Sequence, residues 1–157
     1  MNRANPVRHS PQGAAATELI LEVFRLNGRL LAAGDRLTRD IGLTSARWQV
    51  LGAIALAETA LPVAQIARNM GLARQSVHRV VEELVSEGLL EFTDNPNHRR
   101  SSLVSLTAKG RAAYAKADER QTPWANGLAR GLDPKRIGAA IELLQELRTR
   151  LEAAERE

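Results

Sequence analysis

Arg74, Gln75, His78 and Arg79 fall on one side of a helix if the segment is helical, with Ser76 and Glu82 at its margins. These side chains can read base edges, because arginine forks onto guanine and glutamine onto adenine. A helix starting just before them adds partial positive charge suited to phosphate. A second polar group, Asn97–His98–Arg99–Arg100, lies in a run rich in turn formers. The plain alternative for both is a solvated surface, so the choice rests on what positions them. Enzymatic chemistry has little to draw on. The three histidines (His9, His78, His98) are scattered, there is no cysteine, and no histidine pair stands four residues apart. A zinc site, a thiol nucleophile, a disulfide and a cysteine redox sensor are therefore not expected. There is no glycine-rich phosphate loop and no Gly-x-Ser-x-Gly elbow. Glu82 and Glu83 are neighbours on a helix and point different ways. No catalytic residue, metal or cofactor is expected.

The stretch that places the first group reads VAQIARNMGLARQSVHRVVE from Val63 to Glu82. Two helices meeting steeply need a small residue at the contact, a glycine in the turn and apolar residues pinning the second helix. Ala67 and Gly71 meet the first two needs. Ile66, Met70, Leu72, Val77 and Val80 meet the third, and Val81 and Leu84 continue the buried side. This is a helix-turn-helix pattern, with Arg74, Gln75, Ser76, His78 and Arg79 on the outer side of its second helix. Gly88 ends that helix. Leu89–Thr93 and Ser102–Thr107 then read as two short strands, and the polar loop between them gives a β-hairpin with a basic tip. Such a wing can reach a flanking minor groove, where arginine is favoured.

The rest of the chain reads as helix. Leu19, Val23, Leu26, Leu30, Ala33 and Leu37 alternate at spacings of four and three, the seam of a helix packed on other helices. Ile20, Phe24 and Leu31 widen it. This helix is expected from Thr17 to Arg39, with Pro6 and Pro11 keeping a flexible tail outside it. Thr44–Ser45 cap a second helix to about Glu58, and Leu61–Pro62 open a third with proline in its first turn. Thr107 caps a helix towards Leu128, bent near Pro123. A last helix, Pro134 to Ala154, aligns Ile137, Ile141, Leu144, Leu147 and Leu151. The 157 residues carry 22 bases and 18 acids, a net charge of +4. That excess alone says little, but five bases and no acid lie between Asn95 and Ala117. Aromatic residues are only 3%, so the core must be aliphatic. No apolar run is long enough for a membrane span and no secretory leader is seen, so a soluble, cytoplasmic protein is expected.

With these residues in place, the chain resembles the MarR family of winged helix-turn-helix transcriptional regulators. The likeness runs from about Thr17 to Ala154. It rests on Val63–Glu82, on Arg99–Arg100–Ser101–Ser102–Leu103–Val104–Ser105–Leu106, and on Thr107–Ala108–Lys109–Gly110. It implies a mainly α fold with a small β-hairpin wing and N- and C-terminal dimerisation helices. The expected divisions are a tail (1–16), a dimerisation helix (17–43), the DNA-binding domain (44–107) and C-terminal dimerisation helices (108–157). It also implies a homodimer on a palindromic double-stranded operator, acting as a repressor released by a small aromatic or phenolic ligand. Arg74, Gln75, Ser76, His78, Arg79, Asn97, His98, Arg99 and Arg100 are then the DNA contacts. Trp48 is the candidate ligand contact, with Trp124 and with Phe24, Arg47 or Tyr114 nearby; the alternative is that both indoles are packing residues. One position departs from the family, since His98 stands where an Asp usually holds the wing arginine. A looser wing, or a grip that strengthens as pH falls, would follow. The competing class is a winged-helix protein-interaction module that does not bind DNA.

Overall fold

The computed structural model describes residues 8–96 and 101–154. Helix α1 runs Pro11–Thr38, six residues earlier than the apolar spacing predicts. Ser10 accounts for the early start. Its Oγ accepts from the Gly13 N–H at 3.0 Å, and Pro11 sits at the first helical position, where it has no N–H to satisfy. Pro11 therefore opens the helix rather than excluding the tail from it. A single 3-10 turn, Arg39–Ile41, closes on Gly42, whose φ of 73° is left-handed. The buried Thr38 hydroxyl lies 2.9 Å from both the Gly34 and Leu43 carbonyl oxygens, across this turn.

Helix α2 spans Ser45–Ala55 and is capped twice. Thr44 Oγ1 accepts from the Arg47 N–H at 3.3 Å, and Asp35 of α1 accepts from the Ser45 N–H at 2.6 Å. It ends three residues before the expected Glu58. Leu61–Pro62 is a strand, β1, and not the opening of a helix, because it pairs antiparallel with Leu103–Val104. Pro62 is thus the residue that precedes α3 (Val63–Met70). After the Gly71 turn come α4 (Arg74–Ser86), β2 (Leu90–Thr93) and β3 (Leu103–Leu106). The sheet order is β1-β3-β2, so the expected hairpin acquires a third short strand. Helix α5 runs Ala108–Leu128 with Pro123 inside it, and α6 runs Pro134–Ala154.

The contacts divide the chain into two compact units, Met1–Arg120 and Gln121–Glu157. The core lies in the first. Val50, Leu51 and Ile54 of α2, Ile66 and Ala67 of α3, Val77, Val81 and Leu84 of α4, and Leu90 and Val104 of the sheet form one aliphatic cluster. Arg120 fastens α5 to the turn after α1 through two 2.6 Å hydrogen bonds to Asp40. Outside the core, α1 carries a long apolar surface in contact with solvent: Ile20, Leu21, Phe24, Leu26 and Leu30 are all exposed. Helix α6 has no buried residue, although Ile137, Ile141, Leu144 and Leu151 recur along it.

Candidate nucleic-acid interface

The interface is built on α4. Val77, Val81 and Leu84, spaced four and three, are at most 1% exposed and lock one side of the helix onto α2, α3 and β2. A helix fixed along one stripe must present the opposite stripe outward. Arg74, Gln75, Ser76, His78 and Arg79 are all exposed. Among the described residues, Arg74 and Gln75 make no side-chain hydrogen bond or ion pair, so both keep their donors for a ligand. His78 Nδ1 lies 3.3 Å from Glu82, and Arg79 Nε lies 3.9 Å from Glu83. Such exposed pairs hold their side chains weakly. Ala73 supplies no side-chain cap, which leaves the first N–H groups of α4 facing outward.

The turn that sets the angle between α3 and α4 is made by Gly71 (φ 62°). Its N–H donates to the Arg68 carbonyl at 3.1 Å, and the Leu72 N–H donates to the Ala67 carbonyl at 3.0 Å. A side chain at this left-handed position would be strained. Along α3, Arg68 donates to Gln65 (2.5 Å) and Gln65 donates to Asn69 (2.7 Å).

The far end of α4 is anchored from three directions. The Arg47 guanidinium of α2 pairs with the Glu87 carboxylate and donates to the Gly42 carbonyl at 3.1 Å. Lys109 donates to the Glu87 carbonyl at 2.7 Å. Thr107 Oγ1 donates to the Gly88 carbonyl at 2.7 Å and accepts from the Gly110 N–H at 3.0 Å, capping α5. Gly110 lies so close to the Leu89 carbonyl that an added Cβ would stand 2.0 Å from its oxygen. The run Thr107–Ala108–Lys109–Gly110 is therefore a fastening between the end of α4, the first wing strand and α5.

Comparison with known proteins completes the assignment. The family model described as "MarR family" matches residues 41–101. An uncharacterized protein of Mycobacterium tuberculosis is 38% identical over 135 residues, covering 86% of this chain and 93% of its own. A solved MarR-family transcriptional regulator of Streptomyces coelicolor is 26% identical with a TM-score of 0.73, over 90% of this chain and 98% of that one. Bordetella bronchiseptica BpsR, whose DNA binding is regulated by 6-hydroxynicotinic acid, is 25% identical with a TM-score of 0.71, over 83% and 98%. The chain belongs to the MarR family.

As a MarR-family protein it is a DNA-binding transcription regulator rather than an enzyme. The structure brings Arg74, Gln75, Ser76, His78 and Arg79 together on one exposed side. Asn97, His98, Arg99 and Arg100 lie outside the described residues. The strands that carry them, paired up to Thr93 and Leu103, are in place. Trp48 is half-buried against the core cluster and does not line the cavity that Tyr114 lines. Phe24 is 68% exposed on α1. Arg47 turns to Glu87, and its buried Nε finds no partner among the described residues. Reading the sequence missed the anchoring roles of Arg47, Thr107 and Lys109. Only the Thr-x-Lys-Gly run carried a signal, and it appeared as a family signature without a physical cause. Among the described residues no three acidic or histidine side chains could hold a metal, and no helix is long and apolar enough to cross a membrane.

Proposed function

We propose that this MarR-family protein is a cytoplasmic homodimeric repressor that binds a palindromic operator and is released by a small aromatic or phenolic ligand. The observation that carries the reading is α4 itself: one stripe buried in the core, the other exposed with Arg74 and Gln75 uncommitted. Arg74, Gln75, Ser76, His78 and Arg79 contact bases and phosphates in the major groove. Arg99 and Arg100, with Asn97 and His98, contact the flanking backbone or minor groove. Arg68 on α3 is placed for a phosphate, since the first helix of such a pair crosses the backbone. Large apolar side chains are exposed along both α1 and α6, the kind of surface that marks an interface, and a second copy covers both. A symmetric dimer sets two α4 helices about one turn of DNA apart, so half-sites about 10 bp apart are expected. Trp48 borders the ligand site.

The test is fluorescence anisotropy of the protein against its own upstream DNA across salt concentrations, with sedimentation of the free protein. The reading expects a dimer and a steep loss of affinity with salt. A monomer, or binding indifferent to sequence, would overturn it.

A further inference from the structure

A cavity of about 410 Å³ lies within the first unit, away from the exposed side of α4. Its volume falls in the range of small-molecule sites. The floor is apolar, formed by Ile54, Leu106 and the ring of Tyr114, which packs against Gly52 of α2. Its charged groups are Glu58, Glu91 and Arg111. Arg111 already spends one nitrogen on the Leu106 carbonyl at 2.7 Å, while Glu91 has, among the described residues, only the Ser105 hydroxyl, at 3.2 Å. No hydrogen bond or ion pair to the Glu58 carboxylate exists among the described residues. Two acids against one partly committed base make this a negative cavity on a chain of net charge +4. Its net formal charge favours a cation over an anion.

Glu58 carries a second signal. Its φ of 55° is the one positive value at a non-glycine position among the described residues. Left-handed backbone is easiest for glycine, and strain of this kind collects at binding sites. Here the strained turn holds a carboxylate at the cavity. The same cavity joins Glu91 and Ser105 on the wing strands to the turn that leads into β1 and α3.

We propose that this cavity binds a small organic cation, its apolar ring on Ile54, Leu106 and Tyr114 and its protonated amine held by Glu58 and Glu91. The site is separate from the Trp48 region, and its occupancy needs no DNA. The proposal can therefore fail without touching the assignment of α4.

The test is calorimetric titration of the full-length protein with 2-phenylethylamine, and with phenylacetate as the anion of similar shape, at pH 7. The amine is expected to bind at least about tenfold tighter than the anion. Glu58→Gln and Glu91→Gln should each weaken it about fivefold or more, since each removes one attractive charge. Both positions are exposed, and unchanged melting temperatures would show that the variants fold. Equal or tighter binding of phenylacetate, amine affinity unchanged in both variants, or no saturable binding of the amine would overturn the proposal.

Discussion

Gly110→Ala tests the fastening at the base of the wing, because two physical rules give it opposite signs. Gly110 is in the first turn of α5, and replacing a helical glycine by alanine ordinarily gains up to about 1 kcal/mol. The structure opposes this. An alanine Cβ would stand 2.0 Å from the Leu89 carbonyl oxygen and 3.2 Å from Leu106 Cδ2. Relief requires a shift of about 1.4 Å to reach ordinary contact, and the obstacle is backbone, so no rotamer change supplies it. Moving Leu89 disturbs the Thr107 N–H bond to its carbonyl (3.1 Å) and the Leu89 N–H bond to Leu84 (2.9 Å) at the end of α4. A net destabilisation of about 2–3 kcal/mol is expected. Gly127→Ala is the control, since nothing lies within 4 Å of its added Cβ. It should be neutral or stabilising by up to about 1 kcal/mol. Urea unfolding reads both, repeated at several protomer concentrations so that any contribution of assembly shows as a concentration dependence. Gly110→Ala as stable as wild type, or more stable, would refute the contact argument and with it the account of the Thr-x-Lys-Gly run.

Three further outcomes follow from other parts of the molecule. Burial first, and the nearby Asp118 carboxylate second, raise the Tyr114 pKa above its ordinary value near 10. As the sole tyrosine, its ultraviolet titration should have a midpoint above 10. Because the folded value is the higher one, this group's contribution is fully present below pH 10 and is lost as pH rises through the folded pKa. A midpoint at or below 10 would contradict the burial. Leu26→Asp, on the exposed surface of α1, should give a folded monomer by sedimentation and weaken operator binding by about 100-fold or more, since paired half-sites no longer act together. A dimer of unchanged affinity would remove α1 from the interface. Arg99→Ala should lower affinity for all sequences alike and reduce the salt slope by about one. A loss confined to one base pair would instead make Arg99 a base reader.

How much of this was legible in the sequence depends on where the decisive force is local. The helix-turn-helix was readable because Ala67, Gly71, Val77, Val81 and Leu84 each do a local job at fixed spacing. The caps at Thr44 and Thr107 were readable for the same reason. Leu61–Pro62 misled because proline near a helix start is equally at home in an edge strand. Its pairing with Leu103–Val104 spans some forty residues and leaves no local mark. Pro11 misled in the opposite direction, as a helix opener taken for a breaker. The anchoring of α4 left no mark beyond the Thr-x-Lys-Gly run, because Arg47–Glu87 and Lys109–Glu87 join positions 40 and 22 residues apart. The cavity of Glu58 and Glu91 was hidden likewise, since neither residue belongs to a motif.

The central claim is that the outer side of α4 reads base sequence. Profiling wild type and Arg74→Ala against a randomised operator library tests it most directly. The account predicts that the variant loses preference at one base pair in each half-site, symmetrically, at a cost of about 1–3 kcal/mol there, with other positions unchanged. An unaltered base preference, with affinity falling evenly or not at all, would contradict it.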